Sequence, residues 1–294
     1  MADSAVKHAA RTPLLLMTPM FVFYAVFWAA PVVEGIRQVF TGLDGHFTLT
    51  GNFVLAAHSD LFGQALFNTV FFATVSVLLQ FVLALALAML LSIRFPGATW
   101  VTFVAMIPMA ITPTAVAILW KTGLIKAGWV NTVLVQLHIV HDPIVWLNAQ
   151  GIWAVMLLIV IDTWTVTPSV MIILQAGLQG INQELSEAAY CFGASRWRIF
   201  RDITLPLLKP SIVTAVILRV IAAIQVWNIA VMVVGFGVAP FLVERIAFNI
   251  QVVPGLAASS KIAFTLSFVT TILVVAVAAV YLRVSNRQPK AGWT

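Results

Sequence analysis

Apolar residues along this chain gather in long uninterrupted blocks separated by shorter polar stretches. An apolar helix needs about 20 residues to cross the hydrocarbon layer at about 1.5 Å per residue, so windows of that length with at most one charge mark membrane spans. Six emerge: Leu14 to Val33, Leu66 to Ile93, Thr99 to Trp120, Ile152 to Ala176, Ser211 to Val234 and Ile262 to Leu282. Pro19, Pro108, Pro113 and Pro168 fall in or near these windows. Membrane helices tolerate proline because neighbouring groups satisfy the freed carbonyls. The pattern predicts an all-α integral membrane protein with one transmembrane domain, 14–284, between terminal tails 1–13 and 285–294.

Composition agrees with lipid as the main solvent. Of 294 residues, 62% are hydrophobic and 9% charged, against about 25% charged in a soluble domain. The net charge of +6 does not indicate nucleic acid, because the basic residues sit in short loops and form no continuous stripe. Cys191 is the only cysteine, which excludes an intrachain disulfide. Lys7 and Arg11 ahead of the first block superficially resemble a secretory signal. That block is longer than a signal core and is followed by several equally long ones, so it reads as a retained first span.

With six spans both termini share one side, and the Lys/Arg distribution selects which. Ten basic residues, including Lys7, Arg94, Arg196, Arg198, Arg201 and Arg283, fall on the terminal side, against five on the other. The termini are therefore expected in the cytoplasm. The stretch Gly177 to Pro210 between spans four and five is then a cytoplasmic loop, longer and more polar than a connector needs. Asn182 to Phe192 reads as a short helix stopped by Gly193, and Ser195 as the N-cap of a second helix through Arg201. Two short helices joined by a glycine bend make a docking surface.

Within this loop stand Glu187-Ala188-Ala189, then Gly193, Ile203 and Leu205-Pro206. This spacing reproduces without gaps the EAA pattern, and the chain thereby resembles the permease subunits of binding-protein-dependent ABC importers. Small Ala188 and Ala189 permit close approach, Gly193 supplies the bend, and Pro206 is expected to limit the second helix. The resemblance implies a type I ABC importer permease fold in which the loop forms coupling helices seated in a cleft of the cytoplasmic ATPase. A second resemblance lies in Gly51-Asn52-Phe53, Asp60, Phe62, Ala65-Leu66 and Asn68-Thr69, which look like the approach to the second span in carbohydrate and glycerol-phosphate permeases. With the first span and Pro31 it is similar to the MalF/UgpA-like type. Gly235-Phe236-Gly237 and Ala239-Pro240 depart from the Gly-Gly-rich turn of many relatives.

The resemblance implies partners: a homologous, MalG-like second permease, an ATPase dimer that binds ATP and Mg, and an external solute-binding protein. The chain has no Gly-x4-Gly-Lys-Ser/Thr phosphate loop, so no cofactor is expected in this chain and hydrolysis falls to another polypeptide. No nucleophile, base and orienting residue assemble from its loops, which argues against an enzyme. His138 and His141 are three apart, without a third or fourth metal ligand nearby.

Charged groups inside spans are costly and face a partner or a cavity. Asp162 and Arg219 both fall near the middle of the membrane, either as an ion pair fixing helix packing or as contacts to substrate. Trp164, Gln225, Trp227 and Asn228 are residue types a sugar site uses: indole faces cover C–H surfaces and amides pair with hydroxyls. The tryptophans equally suit a lipid interface, and the amides interhelical hydrogen bonding. Gln225 and Asn228, three apart, are expected on one helix face. The cargo expected is a sugar or related polyol, with glycerol phosphate or a polyamine as alternatives and an ion-coupled secondary transporter as the rival class. That rival predicts inverted repeats or a cluster of membrane carboxylates, and neither is evident.

Overall fold

A computed structural model describes residues 16–93, 95–251 and 256–286. The N-terminal tail and all but the first two residues of the C-terminal tail, with Lys7, Arg11, Arg94, Arg287 and Lys290 among the orienting cations, lie outside the described residues.

The first helix, α1 (Leu16–Val39), carries a π turn at Ala25–Ala29 and runs past the expected end at Val33. Few of its side chains are covered by the rest of the chain. Its end is held instead by polar contacts. Asn52, buried on the short helix α2 (Gly51–Ala57), donates to the carbonyls of Val39 and Thr41, both at 2.8 Å. These are the orphan acceptors that follow a helix C-terminus.

Three long helices form the interior: α3 (Phe62–Ser92), α7 (Ile152–Gln179) and α9 (Arg196–Ile224). The α3–α7 interface is the most extensive. It is lined on α3 by small residues, Ala73, Ala84 and Ala88. In lipid no hydrophobic drive pushes helices together, so small side chains that allow close backbone approach do this work. Gly177 extends the principle to α7 and α9, since a Cβ there would lie 2.3 Å from Ser211 Oγ.

The third apolar block is not one straight helix. It breaks into α4 (Ala98–Ala110) and α5 (Pro113–Leu124), bent by 95°. Proline lacks the N–H that would continue the ladder and pushes the preceding residue into extended conformation. Thr112 is extended accordingly and its hydroxyl caps α5 by accepting from Ala115 N–H. The fifth block also departs from the expected Ser211–Val234 helix: α9 ends at Ile224 and α10 (Asn228–Val234) starts after a three-residue break. The two second halves, α5 and α10, pack together. Between α5 and α7 lies α6 (Trp129–Gln136), anchored by buried Asn131, which bonds the backbone of Ile125, Lys126 and Ile144 and the Trp146 indole. After α10, turns at Gly235 and Gly237 lead into α11 (Leu242–Gln251), and α12 (Ala257–Asn286) closes the domain.

Candidate functional site

The loop after α7 contains α8 (Gln183–Cys191), capped by Asn182, whose side chain accepts from Glu184 N–H at 3.0 Å. Its C-terminus closes in a Schellman motif. Gly193 N–H reaches the Tyr190 carbonyl at 2.9 Å and Ala194 N–H the Ala189 carbonyl at 3.0 Å. Gly193 sits at φ +78°, where an L side chain is strained whatever the space around it. Ser195 then caps the next helix through Arg198 N–H.

That second helix does not stop near Arg201. It is the beginning of α9 and continues to Ile224. Pro206 does not limit it, because a π turn at Phe200–Thr204 precedes the proline and bonds Leu205 N–H to the Phe200 carbonyl. The wider turn accommodates a ring that would otherwise press on the carbonyl four residues back. The second half of the loop and the fifth span are thus one continuous helix, with Ile203 in the π turn and Leu205 just after it half-buried and Pro206 exposed. Glu187 and Ala188 are exposed on α8, while Ala189 is half-buried. Around them Phe192 is 92% and Trp197 68% exposed. Exposed aromatics of this size on a polar loop mark a contact surface.

The second feature lies inside the three-helix interior. Asp162 on α7 and Arg219 on α9 form an ion pair through Asp162 Oδ2 and Arg219 Nη2, both side chains about nine-tenths buried. Gln80 on α3 joins them: its Nε2 donates to Asp162 Oδ2 at 2.8 Å and its Oε1 accepts from Arg219 Nε at 2.6 Å. One amide thus serves both charges and ties three helices at one level. Gln80 was not singled out from sequence. An amide inside the charge-free window Leu66 to Ile93 carries the same signal as a charge there, weaker in degree.

The remaining residues disperse. Trp164 lines a cleft of about 600 Å³ between α3, α4 and α7, beside Leu83, Pro108 and Thr167. It meets Trp120 edge to face at 5.7 Å. Gln225 and Trp227 share a different groove, against α11 and α12. Asn228 does not share a helix face with Gln225, because the helix breaks between them, and its Oδ1 is buried with no hydrogen-bond partner among the described residues.

The sequence reading also missed Glu244. It is fully buried at the start of α11, accepts from Gly237 N–H at 2.9 Å through Oε1, and leaves Oε2 unpartnered. Burial pushes its carboxyl above the usual range, against the smaller opposing pull of the Gly237 hydrogen bond and Arg245.

An all-helical set of long apolar spans, two of them broken, with an exposed helical lever continuous with one span, defines a multi-pass membrane permease. The chain belongs to the family of binding-protein-dependent transport system inner membrane components, whose model matches residues 80–287. It is 32% identical over 285 residues to the trehalose/maltose transport system permease protein MalF of Thermococcus litoralis, covering 94% of each chain. Over 222 residues it is 33% identical to the lactose transport system permease protein LacF of Rhizobium radiobacter, covering 73% of each. Its fold matches a subunit in the crystal structure of a bacterial ABC transporter involved in the import of the acidic polysaccharide alginate. The TM-score is 0.80 at 21% identity, over 95% of this chain and 99% of that one. The fold is therefore that of a type I ABC importer permease.

Proposed function

We propose that this chain is one of two channel-forming permease subunits of an ATP-driven importer in a bacterial cytoplasmic membrane, with both termini inside, and that it carries a sugar or related polyol. The observation that carries the reading is the EAA pattern on an exposed, Schellman-capped helix that the Gly193 bend joins to the helix running on into span five. An ATPase closing on Glu187, Ala188, Ala189 and Gly193 would move that helix, and with it α9 and Arg219. Hydrolysis, ATP and Mg belong to the partner ATPase dimer; a homologous second permease completes the channel and an external solute-binding protein delivers cargo. The sugar class is supported by relatives named for trehalose/maltose and lactose transport.

On this reading the Gln80–Asp162–Arg219 cluster lies midway through the membrane, where it holds α3, α7 and α9 in register and presents little net charge to a passing neutral solute. Trp164, Gln225, Trp227 and Asn228 remain the other pathway residues. The experiment is reconstitution into proteoliposomes with the ATPase, the second permease and the solute-binding protein, using labelled maltose, trehalose and lactose. ATP-dependent uptake of at least one sugar, lost when any component is omitted, is expected. Concentrative uptake by the chain alone would overturn the reading.

A further inference from the structure

The break between α9 and α10 opens a groove of about 400 Å³ that neither the loop nor the Asp162–Arg219 cluster uses. Its lining includes Gln225 and Trp227 from the break, Ser267 and Thr271 of α12, and Val243 and Ile246 of α11. Gln225 is six residues beyond Arg219, which places it about 9 Å farther from the loop and still within the hydrocarbon depth.

The lining is unusual for that depth. The Gln225 amide makes no hydrogen bond among the described residues, although an amide in lipid without a partner is costly. Ser267 and Thr271 stand one turn apart and so face the same way. Each hydroxyl donates at 2.8 Å to a carbonyl four residues back, Ser267 to Ala263 and Thr271 to Ser267, which leaves lone pairs free to accept. The same α9–α12 seam nearer the loop is walled by Ile212, Val216, Val220, Val277 and Val280, a surface suited to acyl chains or another helix. Chemistry therefore changes along one seam, from hydrocarbon to amide, hydroxyl and indole.

We infer that this groove is a carbohydrate subsite in the external half of the pathway, with α12 a contributor to recognition. The inference rests on the sugar-importer reading and adds Ser267 and Thr271 to it. The Trp227 indole covers the apolar C–H face of a ring, the Gln225 amide pairs with two neighbouring hydroxyls, and the Ser267 and Thr271 oxygens accept from others. The volume is at the low end of small-molecule sites, about 300–1,000 Å³. It takes the leading ring or two of a substrate and leaves the rest outside.

The test uses the complete reconstituted importer and whichever of maltose, trehalose or lactose the wild type carries best. Gln225→Leu and Thr271→Val preserve volume and remove the polar function. Each is expected to raise the KM for uptake five- to tenfold with kcat within twofold and with wild-type recovery of the assembled complex. Unchanged KM in both variants overturns the subsite. So does loss of the second permease from the purified complex with unchanged KM in what remains, which would identify the groove as a helix contact. If the wild type carries no sugar while another solute is taken up, the sugar-importer reading fails and this inference with it, an outcome visible before any variant is made.

Discussion

Gln80 Oε1 accepts from Arg219 Nε while Gln80 Nε2 donates to Asp162, so a neutral side chain on α3 completes an ion pair made by α7 and α9. Each charge is bonded by the Gln80 amide and by the opposite charge, and the removal of any member leaves the others underbonded. Buried ion pairs are weak evidence for stability as such, but breaking one by removing a single partner costs about 3–5 kcal/mol. Asp162→Leu or Arg219→Leu alone should therefore sharply lower the yield and melting temperature of the purified complex. The double substitution should recover a substantial part of both. Additive losses in the double-mutant cycle would show that the two charges act independently.

Gln80 provides a milder perturbation of the same cluster. Gln80→Leu keeps the volume and removes one bond to each charge, an expected loss of about 1–3 kcal/mol. Gln80→Glu adds a carboxylate beside Asp162, where like charges repel, and should cost more than Gln80→Leu. Thermal denaturation in detergent checks this; equal stability of the two variants would contradict it.

Much of this was legible in sequence because the bilayer imposes simple rules. Apolar length with at most one charge marked all six blocks, and the Glu187-to-Pro206 spacing marked the loop. The breaks were not legible as breaks. Pro113 was visible, but proline is tolerated in membrane helices, and only packing decides whether a helix kinks or turns by 95°. At Gln225–Trp227 no glycine or proline announces the interruption. The continuity of the loop with α9 was hidden for the opposite reason, since Pro206 reads as a stop unless a π turn absorbs it. Gln80 and Glu244 escaped because their meaning depends on partners far along the chain, or on the lack of one.

Glu244 yields a pH dependence with a definite sign. Its folded-state carboxyl titrates above the unfolded value of 4.5, mainly because burial disfavours the charge. Its contribution to stability is therefore fully present below pH 4.5 and is lost as pH rises through the folded-state value. Glu244→Gln retains an acceptor for Gly237 N–H and removes the charge, so it should raise the melting temperature at neutral pH and flatten this part of the profile. A profile identical to wild type would show that Glu244 remains protonated throughout, or that its ionised form is compensated in the assembled complex.

On the proposed reading, the close approach of α7 and α9 at Gly177 lets the loop move both spans together. Gly177→Leu places a branched chain against Ser211 and Leu208, and overpacking of this kind typically costs about 1–3 kcal/mol. ATP hydrolysis should continue while uptake per ATP falls, measured together in proteoliposomes. Unchanged stoichiometry would show that the contact does not transmit movement.

The central claim is that the α8 turn is the element the ATPase grips. Glu187→Lys reverses an exposed charge on α8, and Gly193→Pro demands φ near −65° where the chain holds +78°. Both sites lie outside the apolar interior, so pairing with the second permease should persist. The decisive measurement is co-purification of the ATPase with each variant alongside ATP-driven sugar uptake. The account predicts intact permease pairs, weakened ATPase retention and lost uptake for both variants. Wild-type ATPase retention and uptake in both would contradict it.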